Sequence, residues 1–367
     1  MNPLLELRTQ GQSIWLDYIR RDLIVNGELK QLVEKDGLRG VTSNPAIFEK
    51  AIDGGTQYDE ALQELFVRNP SIEARSIYDE LSIEDIRNAA DVLRPAYEES
   101  GGSDGFVSIE PPPQLTSDTQ ATIQEGQRLY RTVNRPNLMI KVVATEEGIR
   151  AVEALIAEGI NVNITLMFSL RHYEAVAQAY IRGLRRCGAP AKVNSVASFF
   201  VSRVDTQVDK ALDTLGSAEA LALRGKIAVA NAKIVYRRFK EIFYGDDFSS
   251  LRGRGARVQR PLWASTGTKN PNYRDVLYVE ELIGPDTVNT IPPNTLAAFR
   301  DHGQVRGSTV LEAWPEAEAQ LRALANLGID LEAITSRLQM DGASSFASAY
   351  DRVLTALEKK REKILTT

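Results

Sequence analysis

The sequence predicts a (β/α)8 TIM barrel, with extra helices after strand 2 and at the C-terminus. Three observations carry that expectation. Short apolar or β-branched runs recur, each followed by a helical pattern, and strands alternating with helices build βαβ units and a parallel sheet. Eight such runs are present, the number that closes a barrel. The chain has 367 residues, whereas a barrel of this kind takes about 250, so the excess belongs to insertions.

In order, the predicted strands are 13–18 (SIWLDY), 38–42 (LRGVT), 105–110 (GFVSIE), 138–143 (LMIKVV), 161–167 (NVNITLM), 192–200 (KVNSVASFF), 261–265 (PLWAS) and 287–291 (TVNTI). Two helices are readable residue by residue. After the fourth strand Thr145 can serve as N-cap, with Glu146 and Glu147 in the first turn. Ile149, Val152 and Ile156 then share a face, and Gly159 can end the helix. After the fifth strand, Leu170, Tyr173, Ala177, Tyr180 and Leu184 form an apolar stripe to pack on the sheet. The extra length falls in 51–104, which holds additional helical material, and in 308–367, which holds two helical segments and the charged end LEKKREKI. No Pro/Gly/Ser-rich linker sets either apart, so residues 1–367 read as one domain.

Composition is ordinary globular, with 43% hydrophobic and 25% charged residues. The 44 basic and 49 acidic residues leave a net charge of −5, so there is no overall basic excess to neutralise a nucleic-acid backbone, and only a local basic patch is left open. The basic run LRGRGARVQR lacks interleaved aromatics and reads as a solvated loop. No apolar run approaches the length of a membrane helix, and the N-terminus lacks a secretory pattern, so the expected address is cytoplasmic. Cys187 stands alone, and the two histidines, His172 and His302, form no zinc spacing. No phosphate-loop motif occurs, and Gly253-x-Gly255 lacks the third glycine of a dinucleotide fingerprint.

Parallel strands buried on both faces should be almost continuously apolar. Here several runs carry polar residues late in the strand, where a barrel builds its active site. Asp17, Asn44, Glu110, Lys141, Asn163, Thr165, Ser198 and Ser265 all fit that position. Lys141 lies among Met139, Ile140, Val142 and Val143. Burial disfavours an ammonium ion, and a neutral amine is a nucleophile toward carbonyls that can form a Schiff base. The alternative is a structural lysine paired with a buried carboxylate, or one whose strand end reaches solvent. Asp17 and Glu110 can divide acid and base roles, or simply pair with Lys141 or cap a backbone group. Asn44, Asn163, Thr165 and Ser198 can orient a polyhydroxylated substrate, or serve as turns and caps. Ser202 and Arg203 after the sixth strand, with Ser265, Thr268 and Lys269 after the seventh, suggest a phosphate site; surface and loop charges are the alternative.

With these residues in view, the chain resembles the longer bacterial transaldolases. The resemblance is carried by GVTSNPAIFEKAI (40–52), by 139–169 with its strand-four lysine and GINVNITLMFS, by ASFFVSRVD (197–205) and by PLWASTGTKNP, and it runs on to LQMDGASSFASAYDRVL. It implies a class I aldol mechanism with no metal or organic cofactor. A dihydroxyacetone unit would pass from sedoheptulose 7-phosphate to glyceraldehyde 3-phosphate, giving erythrose 4-phosphate and fructose 6-phosphate in the non-oxidative pentose phosphate pathway. By the match, Lys141 forms the Schiff base and Asp17 moves the hydroxyl proton at the cleaved bond. Glu110 works through a water that Thr165 helps place. Asn44, Asn163 and Ser198 hold the dihydroxyacetone hydroxyls, Arg203 and Ser265 bind phosphate, and Phe200 lines the pocket. The best-known pattern has an arginine soon after the strand-seven serine; here Lys269 is the candidate second cation, without arginine's bidentate fork. Small sugar phosphates are the implied partners, and a homodimer is compatible with the sequence. The rival readings are a class I aldolase that releases free dihydroxyacetone, whose smaller members carry Gln where Glu110 stands, and a barrel kept only for sugar-phosphate binding.

Overall fold

The computed structural model describes residues 2–53 and 55–366. Eight parallel strands close into a barrel in chain order: β1 (Gln12–Leu16), β2 (Gly40–Val41), β3 (Phe106–Ile109), β4 (Leu138–Val143), β5 (Val162–Met167), β6 (Ser195–Phe200), β7 (Arg260–Ala264) and β8 (Thr287–Ile291), with β8 returning to β1. Each strand is buried on both faces apart from half-buried Arg260, which is why its sequence reads as an apolar run rather than an alternation.

The fourth and eighth strands span the predicted residues, and the others differ at their ends. Asp17, Glu110 and Ser265 fall just beyond the last strand residue, although the Asp17 amide still donates to Ile291 of β8 at 3.0 Å and the Ser265 carbonyl accepts from the Ser202 amide at 3.1 Å. β2 is short, although the Arg39 and Thr42 amides still donate to Ile14 and Leu16 of β1. β6 begins at Ser195, because Pro190–Lys192 forms a tight 3-10 turn instead of extended chain.

Strand register decides which side chains enter the barrel. Directly paired residues of parallel strands face the same side, and the side alternates along each strand. Trp15 pairs with Gly40 and with Thr290, Gly40 with Phe106, Ser108 with Met139, Lys141 with Asn163, Asn163 with Val196, Ser198 with Leu262, and Leu262 with Val288. One lower layer is filled by Trp15, whose indole donates to Asp104 at 3.0 Å. Gly40 lies flat against that ring, where any β-carbon would collide with it. One alternation further toward the carboxyl end, the same parity brings Asp17, Thr42, Glu110, Lys141, Thr165 and Ser198 to the interior.

The two helices expected in detail are present. Glu146–Ala157 is capped by Thr145, whose hydroxyl accepts from the Gly148 amide at 3.0 Å. Its Val152 and Ile156 are fully buried, and the chain leaves through Gly159 at φ +84°. Leu170–Arg186 buries Tyr173, Ala177, Tyr180 and Leu184.

The extra segments meet over the barrel mouth. Residues 45–99 form the helices Pro45–Asp53, Asp59–Arg68 and Ala74–Glu99. Trp314–Asn326 and Leu331–Thr366 form the C-terminal pair, and the charged end continues the last, 36-residue helix. That helix joins the insertion through Arg352–Glu49 at 2.5 Å and Lys360–Asp59 at 2.7 Å. It joins the barrel through Gln339, whose amide donates to the carbonyls of Ala144 and Leu166 at 2.9 and 3.1 Å.

Candidate active site

At the carboxyl end, β4 places Lys141 inside the mouth with its side chain 5% exposed. The Nζ donates to the Ser43 carbonyl at 3.0 Å, lies 3.6 Å from Glu110 Oε2, and sits 5.4 Å from the centre of the Phe346 ring. Glu110, just past β3, is equally buried. Neither of its carboxyl oxygens, nor the Thr165 hydroxyl on β5, has a hydrogen-bond partner among the described residues. Burial pushes the Glu110 carboxyl up to about 7, against the pull of Lys141.

Asp17, just past β1, accepts from the Thr42 hydroxyl at 2.9 Å, and Thr42 in turn bonds Thr290 at 2.7 Å. Burial raises the Asp17 carboxyl above its ordinary range, opposed by Lys141, the Thr42 bond, Arg203 and Lys269. One carboxyl thus lies beside the amine and the other, from a different strand, is near enough to feel its charge, and burial draws each toward its protonated form.

A polar chain crosses the interior beside them. Ser198 donates to Asn163 Oδ1 at 2.7 Å, and Asn163 donates through Nδ2 to Ser108 at 3.0 Å. Each group is buried and satisfied, so the chain fixes the rotamers of its members. Asn44 is half-buried, and its Oδ1 accepts from the Ile47 amide at 3.2 Å, so that oxygen caps the helix Pro45–Asp53. At the far rim, Arg203 lies in the first turn of the helix Ser202–Leu215 with its guanidinium 5.2 Å from the Phe200 ring. Burial lowers the Arg203 pKa, with Asp17 opposing. Ser265 holds a left-handed backbone, φ +55°, and its hydroxyl bonds that of Ser202 at 2.9 Å. Lys269 is exposed in the loop after β7, near enough for its charge to act on Asp17.

Several contributors escaped the sequence reading. Thr42, Ser108 and Thr290 hold the residues that it singled out, Ser43 acts through its backbone carbonyl, and Gln339 and Phe346 arrive from the C-terminal helix. Other singled-out features lie elsewhere. His172 sits under its helix, where its Nδ1 accepts from the Phe168 amide at 3.4 Å, and His302 is paired at the surface with Asp275 and Asp301. The basic run is not simply a solvated loop. Arg257 is half-buried and donates to the carbonyls of Gly101 and Gly102, and Arg254 donates to that of Cys187, so these guanidiniums stitch loops together. A groove of about 1000 Å3 between Arg21, Glu64, Arg68 and Glu84 lies away from the mouth and contains none of the predicted site residues. Among the described residues no cluster of three or more His, Cys, Asp or Glu is placed to hold a metal ion. No described helix is long and apolar enough to cross a membrane.

Comparison with known proteins agrees with this geometry. A family model described as Transaldolase/Fructose-6-phosphate aldolase matches residues 14–357. The relative called Transaldolase 2 from Nostoc sp. is 47% identical over 375 residues, covering 98% of this chain and 98% of its own. Transaldolase from Thiobacillus denitrificans is 47% identical over 361 residues, 97% of this chain and 100% of its own. Transaldolase 1 from Streptomyces coelicolor is 46% identical over 360 residues, 97% and 94% respectively. A closed barrel with a buried amine beside one buried carboxyl and within the field of another, matched over nearly its whole length, places the chain in the transaldolase/fructose-6-phosphate aldolase family.

Proposed function

We propose that the protein is a transaldolase working through a Schiff base on Lys141. The observation that carries this is the position of the amine. It is buried in the mouth, 3.6 Å from Glu110, with its charge acting on Asp17. In the reaction, the Lys141 amine adds to the carbonyl of a ketose phosphate such as sedoheptulose 7-phosphate. Glu110, with a pKa near 7, suits a group that both gives and takes a proton near neutrality, here through a water placed with the help of Thr165. Loss of water leaves a cationic imine that draws electrons from the neighbouring carbon–carbon bond.

Asp17 then removes the hydroxyl proton at the carbon beyond that bond. The bond breaks, erythrose 4-phosphate leaves, and an enamine of three carbons stays on Lys141. Attack of the enamine on glyceraldehyde 3-phosphate, with Asp17 returning the proton, and hydrolysis of the new imine yield fructose 6-phosphate. Asn44, Asn163 and Ser198 hold the fragment's hydroxyls, Arg203, Ser265 and Lys269 hold the phosphate, and Phe200 lines the pocket. The proposal needs no metal or organic cofactor. It extends to residues 1–367 acting as one domain in the cytoplasm on small sugar phosphates, with neither nucleic acid nor membrane as partner and a homodimer as the simplest assembly.

The test is mass spectrometry after borohydride reduction in the presence of fructose 6-phosphate. A dihydroxyacetone-derived adduct on Lys141 is expected. An adduct elsewhere, or none, would remove the lysine from the mechanism. Net release of free dihydroxyacetone in the presence of an aldehyde acceptor would point to an aldolase instead.

A further inference from the structure

The C-terminal helix Leu331–Thr366 presents one face to the mouth, and three of its residues form a graded approach to the reactive amine. Gln339 comes first. Its side-chain amide donates to the carbonyls of Ala144 and Leu166, at the carboxyl ends of β4 and β5. These strands carry Lys141, Asn163 and Thr165. Leu166 is itself unusual: it is a buried leucine with φ +60°, at the point where the register between β5 and β6 shifts. A non-glycine residue held in that region costs free energy and persists only where its surroundings enforce it. The Gln339 bond to its carbonyl is part of that enforcement.

Gly342 follows, one turn on. A β-carbon at this position would lie 2.9 Å from Leu166 Cδ2, so the helix packs closely on that side chain here and a larger residue would have to displace it. Phe346, one further turn along the same face, is 5% exposed and reaches Lys141 Nζ at 5.4 Å from ring centroid to nitrogen. Below it Tyr350 packs edge-on against Tyr78, which packs edge-on against Phe48 of the insertion. This aromatic run ties the helix one turn beyond Phe346 to the insertion.

Resting on the transaldolase reading, we infer that Phe346 is a positioning residue that keeps water from the lysine-bound three-carbon fragment, and so decides whether the fragment is transferred or hydrolysed. The chemistry shows why a ring is needed there. After the first aldehyde leaves, the enamine has two exits. Its nucleophilic carbon can attack an acceptor aldehyde, or it can take up a proton and return to the cationic imine. Water then adds to the imine carbon and gives up one proton to solvent, the neutral carbinolamine moves its hydroxyl proton to nitrogen, and the carbon–nitrogen bond breaks to give dihydroxyacetone and the free Lys141 amine. The second exit is fed by any water that reaches the fragment while the acceptor site is empty. An apolar ring next to the nitrogen denies solvent that approach, leaving the water held by Glu110 and Thr165 to serve condensation and product release, and its π face favours the cation that forms when the substrate condenses. The Gln339 tether and the Gly342 contact set how closely the ring is held.

The experiment measures partition rather than rate. Free dihydroxyacetone released from fructose 6-phosphate and sedoheptulose 7-phosphate formed with erythrose 4-phosphate as acceptor are quantified for wild type, Phe346→Ala, Phe346→Leu and Gln339→Ala. Phe346→Ala is expected to raise the ratio of release to transfer about tenfold or more, by admitting water to the imine. Phe346→Leu, which keeps apolar bulk, should restore much of the wild-type ratio, and Gln339→Ala should shift it in the same direction as alanine at 346. Equal falls in both exits with an unchanged ratio would mean that the ring is only structural, and would overturn the inference. If Phe346→Ala does not fold, a wild-type ratio in Gln339→Ala overturns it equally. A wild-type protein that forms no reducible adduct on Lys141 would overturn the parent reading, and this inference with it.

Discussion

Replacing Glu110 by glutamine tests whether dehydration sets the protonation of the site. The carboxyl is 5% exposed, neither oxygen has a hydrogen-bond partner among the described residues, and its pKa rises from 4.5 to about 7. At 1.36 kcal/mol per unit, this difference makes the ionised form about 3 kcal/mol less favourable in the fold than in the unfolded chain. The sign follows from proton counting. Between pH 4.5 and 7 the native state holds a proton that the unfolded state has lost, so this group's stabilising contribution is complete below 4.5 and disappears as pH rises through 7. Glutamine does not titrate. The unfolding free energy of Glu110→Gln, measured against wild type by denaturant titration, should therefore improve by about 3 kcal/mol between pH 4.5 and pH 8. For a chain of 367 residues this amounts to about 4 °C in Tm. Taking the difference between proteins cancels any pH-independent cost of the substitution. The variant's transfer rate should fall by about 10²–10⁴ and lose its inflection near pH 7. Parallel stability curves for the two proteins would refute the burial argument, whatever the kinetics show.

Lys141→Met should form no borohydride-reducible adduct and show no transfer, while far-UV circular dichroism remains that of the parent; retained turnover would reject the amine's role. Asp17→Ala should still form the adduct with an added ketose phosphate yet lose about 10²–10⁴ in kcat, because only the proton transfer is removed; loss of the adduct would assign Asp17 to the condensation instead. Arg203→Ala should lower kcat/KM for fructose 6-phosphate about 10- to 100-fold, the worth of a charged hydrogen bond to phosphate, with a much smaller loss for unphosphorylated fructose; equal losses would show that Arg203 does not read the phosphate. Gly40→Ala forces a β-carbon into the Trp15 ring and should cost about 1–3 kcal/mol in stability, read from the denaturant midpoint. An unchanged midpoint would mean that the floor of the barrel is loosely packed.

The barrel was legible because of a conflict between burial and polarity. A strand covered on both faces has little use for a charged side chain, so Lys141 among four apolar neighbours, and Asp17 and Glu110 at the ends of apolar runs, mark the carboxyl end of the strands as the place for chemistry. What remained hidden was of two kinds. Backbone acceptors have no residue type: nothing in the letter S at position 43 shows that its carbonyl will hold the amine. Likewise nothing in a leucine at 166 signals a left-handed backbone, a conformation that sequence reading assigns to glycine or asparagine. The second kind is tertiary. Spacing in the C-terminal segment identifies a helix and its apolar face, but an apolar face specifies only that something covers it. Gln339, Gly342 and Phe346 acquire meaning once Leu166 and Lys141 are known to lie beneath them. Chemistry in the strands and access in the final helix are thus written in different codes. The first is read from residues out of place, and the second from residues that look ordinary until the helix is seen against β5.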